Sequence, residues 1–497
     1  MNIKQAKDEI INTVHAYLKK DELGQYQIPT IRQRPILLIG APGIGKTQIM
    51  EQIARECRIA LVSYTITHHT RQSAVGLPMI CEAEYEGIKY SVTEYTMSEI
   101  ISSIYKQMQE TGLKEGILFI DEINCVSETL APTILQLLQC KTFGNQSIPE
   151  GWIIVAAGNP PEYNKSVRDF DMVTLDRVRY MNVEADYHVW KAYARQQHIN
   201  DAILSYLELK PNHFYRAETD VDGMSFVTAR GWEDLGNLMD TYESLGIEIT
   251  RQIVGEFIHH EDIAEDAAAY FELYRKYEDD YAIDSILDGK VATKIYKRLF
   301  DAEFDERISV VNLVLKGLTN RLDIYSRNKF VSDGWYAFLK DYRQKVESTD
   351  DCSKLYYELL DEYKNRFTEE QKAKIYTVKE SAIRKQLLEN IDKAGKNIRT
   401  DMQPKDAFDI AKEDFSKAAA VMEESENLVT SSINNAFTFM EDAFANGQEL
   451  VVFVTELTIS PDAALFLAEH DIEKYNIYKE QLLIGTRKAQ ILEELKS

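Results

Sequence analysis

Proline vanishes from the middle of this 497-residue chain: none lies between Pro211 and Pro404. Helix interiors exclude proline, whereas strands joined by loops require turn residues. The stretch therefore predicts helix and argues against alternating strands and turns. Glycine thins out too, with sixteen of 22 glycines and nine of 11 prolines before residue 256. Cysteine is sparse. Cys57, Cys81, Cys125, Cys140 and Cys352 form no CxxC pair, which argues against a disulfide framework and fits plain thiols in a reducing compartment. No run approaches the roughly 18 apolar residues of a membrane-spanning helix. The opening MNIKQAKDEIINTV has no apolar signal core, so the expected location is cytoplasmic. Positive charge is also short: 57 Lys plus Arg against 81 Asp plus Glu leaves −24, which disfavours non-specific binding to a phosphate backbone.

What is present suffices for a large core, at 44% hydrophobic and 28% charged residues. The pattern over residues 3–20 predicts an amphipathic helix. Short apolar runs at Ile36–Ile39, Ala60–Ile66, Ile117–Ile120 and Trp152–Ala157 read as strands, with helices at Gln48–Cys57 and Met97–Gln109 between them. Continuous apolar strands alternating with helices predict a parallel sheet covered on both faces. Glu82–Thr96 alternates like a β-insert, and Thr142–Pro149 reads as a hairpin. Beyond Asp186 helix is expected to dominate. Val429, Ile433, Phe437, Met440 and Phe444 recur at helical spacing and mark one buried face. Leu450–Leu457 fits a strand or a buried helix, and Ser460-Pro461-Asp462 reads as a helix cap. An acidic run over Glu261–Asp288 reads first as a solvated helix face, then as a docking surface for a basic partner.

The most specific signal is Gly40-Ala41-Pro42-Gly43-Ile44-Gly45-Lys46-Thr47, a match to GxxxxGK[ST] after an apolar strand and before the helical Gln48-Ile49-Met50. The glycines let backbone wrap phosphate oxygens, and the helix N-terminus adds partial positive charge. Lys46 suits β- and γ-phosphates, and Thr47 suits Mg²⁺. A second run, Ile117–Ile120, ends in Asp121-Glu122: the first acid suits water-mediated Mg²⁺, the second suits polarising an attacking water. A third, Trp152–Ala157, ends in Gly158-Asn159-Pro160, whose amide suits orienting water and the γ-phosphate. The adjacent pairs His68-His69 and His259-His260 lack metal-site company, and neither GxSxG nor HExxH occurs.

Together these three strand ends resemble an AAA+ ATPase, and most closely the MoxR-like group with a helix-2 insert. RQRPILLIGAPGIGKT at 32–47, FIDEIN at 119–124, AAGNPPEYNKSVRDF at 156–170 and LDRVRYMNVEADYHVWKAYA at 175–194 carry the match. The resemblance implies an α/β P-loop core, an α-helical lid and a long all-α C-terminal extension. It divides the chain into an N-terminal helix and loop (1–34), the core (35–185), the lid (186–275) and the extension (276–497). It makes Gly40 to Thr47 with Gln48 a Walker A cradle, Asp121 and Glu122 a Walker B pair, and Asn159 a sensor 1. Arg177 then matches an arginine finger acting on a neighbour's ATP, with Arg179 as the alternative because Val178 replaces the usual aromatic. Arg230 matches sensor 2, with Thr228 as helix cap. Also implied are Mg²⁺-dependent ATP hydrolysis in a ring, expected to be a hexamer, rotation of the lid, and remodelling of a client protein. A partner with a von Willebrand factor type A domain belongs to the same expectation. The alternative class is a nucleotide-gated switch or a restriction-type, nucleic-acid-associated motor; the charge disfavours nucleic acid, and Glu122 disfavours a switch that does not hydrolyse.

Overall fold

A computed structural model describes residues 1–482 except 69–75, 128, 144–145, 164–166, 168–169, 220–223 and 350. The strands are β1 (Ile36–Gly40), β2 (Ala60–Thr65), β3 (Pro78–Tyr85), β4 (Ile88–Tyr95), β5 (Gly116–Asp121) and β6 (Thr142–Phe143). They continue with β7 (Gln146–Ser147), β8 (Trp152–Gly158), β9 (Arg179–Val183), β10 (Arg216–Thr219) and β11 (Met224–Val227). Five of them form one sheet in the order β2-β5-β8-β1-β9, and every adjacent pair is parallel.

β1 and β8 are buried along their whole length, and β5 up to its final Asp121. That is why their sequences are continuous apolar runs: a parallel sheet is covered on both faces by its crossover helices. The helix Lys46–Cys57 buries Ile49, Met50 and Ile53, and Glu99–Thr111 buries Ile100, Ile101 and Ile104. Because the strands are parallel, the residues following β1, β5 and β8 all leave at one edge, with the end of β8 between the other two.

The structure adds strands that the pattern missed. β9 reads RYMNV and lies at the sheet's outer edge, where only Met181 and Val183 are buried, so it never needed an apolar run. β10 and β11 form a ribbon inside the region expected to be mostly helical. The β-insert begins at Pro78 rather than near residue 82. The 142–149 hairpin pairs Thr142–Phe143 with Gln146–Ser147; its 144–145 tip lies outside the described residues.

The chain divides into two compact units. The first comprises Met1–Val189, Thr228–Arg230 and Arg366–Thr377; the second comprises Trp190–Val227, Gly231–Asn365 and the chain from Val378 onward. The boundary expected at 275/276 falls inside the helix Glu261–Tyr281, and residues on both sides of it belong to the second unit.

The second unit is built on two long helices, Phe304–Val346 and Pro404–Phe444. Val429, Ile433, Phe437, Met440 and Phe444 all lie in its apolar core. Leu450–Leu457 is helical, within Gln448–Ile459, and Ser460 precedes the Pro461–Glu469 helix without a side-chain capping bond. Among the described residues no single helix is long and apolar enough to cross a membrane; the bent pair Gln448–Ile459 and Pro461–Glu469 passes jointly on composition. Its Phe453, Val454, Leu457, Ala463 and Phe466 are core residues. Several buried polar groups in this unit pair with one another: Tyr270 bridges Ser205 and Ser309, and Asn312 donates to Ser205 at 2.9 Å. Lys191 pairs with Glu208 and Glu456, and Arg195 with Glu456.

Lys141 is a buried charge in the first unit with no ion-pair partner among the described residues. Lys141 follows the helix Ala131–Cys140 at 6% exposure, and its ammonium reaches Gln33 Oε1 only at 3.4 Å. Burial pulls its pKa down to about 8. The charged form is thus disfavoured in the folded chain by about 3 kcal/mol. The penalty is complete below pH 8 and disappears as pH rises to the unfolded amine's range near 10.4. Lys141→Met is expected to raise the melting temperature at pH 7, with the gain vanishing near pH 10.5. Thermal unfolding followed across that range checks it.

Candidate functional site

The loop between β1 and the helix Lys46–Cys57 turns through two left-handed glycines, Gly43 (φ 75°) and Gly45 (φ 93°). Only glycine reaches these angles without a Cβ penalty. Gly45 is the helix N-cap and has no side-chain cap, so the first-turn amides point into the loop as donors for an anion. Ala41 and Ile44 are buried walls of the same loop, with Pro42 between Ala41 and Gly43 and Gln48 in the first helical turn.

Lys46 is only 8% exposed. Its ammonium donates to Gly40 O at 2.7 Å, Ala41 O at 2.8 Å and Asn159 Oδ1 at 2.9 Å. Burial lowers its pKa to about 8; Asp121 opposes that shift and the Arg230 guanidinium adds to it. A poorly compensated cation held inside an amide-lined loop is a site for an oxyanion.

The acids of β5 meet this loop. Thr47 Oγ1 donates to Asp121 Oδ2 at 2.8 Å, and Glu122 N donates to Asp121 Oδ1 at 2.9 Å. Glu122 occupies the left-handed region (φ 56°), rare for a residue with a long side chain, so the chain bends sharply after the strand. Its Oε2 accepts from Thr67 Oγ1 at 2.9 Å. Thr67 follows β2, whose Thr65 is in register with Asp121. Sequence reasoning missed Thr67 because nothing local marks it; only the β2–β5 pairing brings it to Glu122.

Asn159, just past β8, faces Lys46 on one side. On the other its carbonyl accepts from Asn124 Nδ2 at 2.8 Å. Asn124 is also buried against Gly158, where an added Cβ would lie 2.4 Å from Asn124 Oδ1. Asn124 was the second missed residue. It sits in the quoted FIDEIN segment but carries no chemistry until folding sets it under Asn159.

The arginines separate. Arg230 N donates to Gly43 O at 3.2 Å, so the start of the Ala229–Leu245 helix is tied to the glycine loop, and its side chain is exposed. Arg179 is engaged internally, with Thr13 at 2.5 Å and with Glu9 of the first helix. Arg177 is exposed, in the turn before β9. Of the two candidates, Arg177 is the one its own fold leaves accessible.

Of the histidine pairs, His69 lies outside the described residues, and His260 is buried with Nε2 3.8 Å from Glu218. The described residues hold one group with metal-ligand character, His198, Asp323 and Asp462. The Lys379 ammonium bonds both Asp323 and His198 and already supplies that cluster's cation.

The model of the ATPase family associated with various cellular activities (AAA) matches residues 36–173. That stretch holds β1 to β8 and contains Lys46, Thr47, Asp121, Glu122 and Asn159. It leaves Arg177, Arg230 and the helical unit outside. No curated protein sequence matches the chain.

Two outcomes follow from this geometry. A triphosphate displacing the carbonyls and Asn159 from Lys46 returns its pKa toward the ordinary lysine range. Binding at pH 8 is therefore expected to take up about half a proton, and none at pH 6. Calorimetry in buffers of different ionisation enthalpy measures it, and Lys46→Met abolishes it. Removing the hydroxyl that holds Glu122, as in Thr67→Val, is expected to raise basal turnover severalfold with nucleotide affinity unchanged.

Proposed function

Proceeding from the match of residues 36–173 to the AAA ATPases, we propose that this chain hydrolyses ATP in a ring of like subunits and uses the cycle to remodel a client protein, as MoxR-like ATPases do. The observation that carries the reading is the meeting of three strand ends: Lys46 bonds Asn159, and Thr47 bonds Asp121. An AAA domain with both acids of the β5 end supports ATP hydrolysis rather than a passive switch.

Each residue has a defined task. The loop amides and Lys46 bind the phosphates, with Lys46 exchanging its carbonyl partners for oxyanions. Glu122, released from Thr67, accepts a proton from the attacking water. Asn159 orients that water, held in place by Asn124. Thr47 and Asp121 are adjacent hard-oxygen donors that fit Mg²⁺ and would hold it. When bound, the ion neutralises charge on the phosphate oxygens. Arg230 adds a fixed positive charge from the helix tied to Gly43. Arg177, exposed on its own subunit, completes the neighbour's site; a guanidinium stays charged throughout and suits the transferred phosphoryl. A hexameric ring and a partner with a von Willebrand factor type A domain rest on the MoxR-like resemblance.

The test is complementation between two inactive chains. Glu122→Gln and Arg177→Ala are each expected to lower turnover at least a hundredfold. Mixed in equal amounts, they are expected to recover a measurable fraction, because some interfaces then pair an intact Glu122 with an intact Arg177. Absence of recovery overturns the shared-site reading; undiminished turnover in Glu122→Gln overturns the catalytic one.

A further inference from the structure

Two cavities in the second unit adjoin at one residue, Glu278. The larger, about 500 Å³, is lined by Glu243, Gly246, Ile247, Glu248, Arg275 and Glu278. The smaller, about 350 Å³, takes in Glu278, Ile283, Asp284, Leu313, Lys316 and Asn320. Both fall within the roughly 300–1,000 Å³ of small-molecule sites. None of these residues belongs to the phosphate-binding loop or the strand ends around it.

Each cavity lies at the C-terminal end of a helix. Ala229–Leu245 closes with Gly246 N donating to Glu243 O at 3.1 Å and Ile247 N to Tyr242 O at 2.9 Å. Glu261–Tyr281 closes at the left-handed Ala282 (φ 47°). Helix C-termini carry partial negative charge, which cations in the last turn ordinarily offset. Neither helix has a basic residue there. The last turns and the residues just beyond them supply Glu243, Glu248, Glu278 and Asp284 instead. Against these four carboxylates the walls set only Arg275 and Lys316, a surplus of two negative charges. Lys316 is already committed to Glu278, at 3.0 Å. Burial opposes its charge, yet Glu278, Asp201 and Glu243 hold its pKa above the ordinary lysine value. Asp284 shares Arg321 with Asp288.

The surroundings are short of positive charge. Burial lifts the Asp201 carboxyl to about 6 despite Lys316 and Arg195, with Asp240 and Glu278 adding to the rise. One polar group is also left over. Tyr274 stands one turn before Glu278 on the same helix and is 3% exposed. Its hydroxyl has no hydrogen-bond partner among the described residues. Burial, then the charges of Asp201 and Glu278 among its neighbours, keeps it protonated. An unsatisfied buried hydroxyl is costly, and this one offers a lone pair on the side where the acids gather.

We infer that these cavities bind a linear polyamine, its ammonium groups on the carboxylates and its methylenes along Ile247, Ile283 and Leu313. The spread of charge selects this ligand class. A metal ion needs ligand atoms that converge, and among the described residues only His198, Asp323 and Asp462 gather three within 4.8 Å. Acids distributed over two adjoining cavities match a ligand whose charges are likewise distributed. Each ammonium bonds a carboxylate, and the links between them cover apolar wall. A phosphate or a nucleic acid would meet the negative surplus and be repelled.

The test uses the full-length, nucleotide-free chain and radiolabelled spermidine in equilibrium dialysis at physiological salt. Saturation at one molecule per chain is expected, at least tenfold tighter than butylamine, which has a single ammonium. Glu243→Gln/Glu278→Gln is expected to weaken binding at least tenfold, and Tyr274→Phe about threefold. Glu423→Gln/Glu424→Gln removes the same charge from the exposed face of Pro404–Phe444 and is expected to change it less than about twofold. Equal loss in the two double variants, or uptake that never saturates, overturns the inference, since general attraction to a chain of charge −24 then explains it. Unaltered binding in Glu243→Gln/Glu278→Gln overturns it as well. Tighter binding of the peptide Lys-Val-Lys than of spermidine makes a protein segment the occupant and also sinks it. Nucleotide is absent throughout, so the ATPase reading stands or falls separately.

Discussion

The first unit depends on a constraint of parallel sheets: all strands end at one edge. Their interiors are apolar because helices cover both faces, so polar chemistry is confined to where the chain leaves the sheet. β5, β8 and β1 are consecutive in the sheet, and their exits are Asp121-Glu122, Asn159 and the glycine loop. Lys46 is the point where these constraints meet. Its ammonium is desolvated, paired with carbonyl dipoles and one amide rather than with a carboxylate, and lowered in pKa by burial. That arrangement stores affinity for an anion, since an arriving phosphate restores what desolvation removed.

The restraint on Glu122 has the same origin. A left-handed residue after a strand turns the side chain away from the strand's line, and Thr67 on the neighbouring β2 end receives it. In the proposed hydrolysis, Glu122 held on the Thr67 hydroxyl stays quiet until something draws it off. Asn124 does the complementary work by fixing Asn159 through its carbonyl, which leaves the Asn159 amide for Lys46 or for a ligand.

The second unit follows different physics. Its helices are held by apolar contact and a few buried polar bonds, and its Phe304–Val346 helix is buried all round from Ile308 to Leu315. A helix apolar on every side has no amphipathic signature. That is why its sequence announces helix but not partners.

The motif order, the apolar strands and the loss of proline after Pro211 were legible because each is a local rule: a cradle needs glycine, a buried strand needs apolar side chains, and a helix rejects proline. They point to the α/β core, the helical remainder and the candidate residues 40–48, 121, 122 and 159. An edge strand needs no apolar run, so β9 was hidden until it paired with β1. Thr67 and Asn124 acquire meaning only through strand register and through a carbonyl thirty-five residues away. Arg177 and Arg179 are equivalent by type and spacing; folding engages one with Glu9 and leaves the other to solvent. Local chemistry is written in residue type and spacing, whereas partnership depends on which distant segments come together. For that reason the sequence determined the machinery, and tertiary structure decided which residues hold it in place.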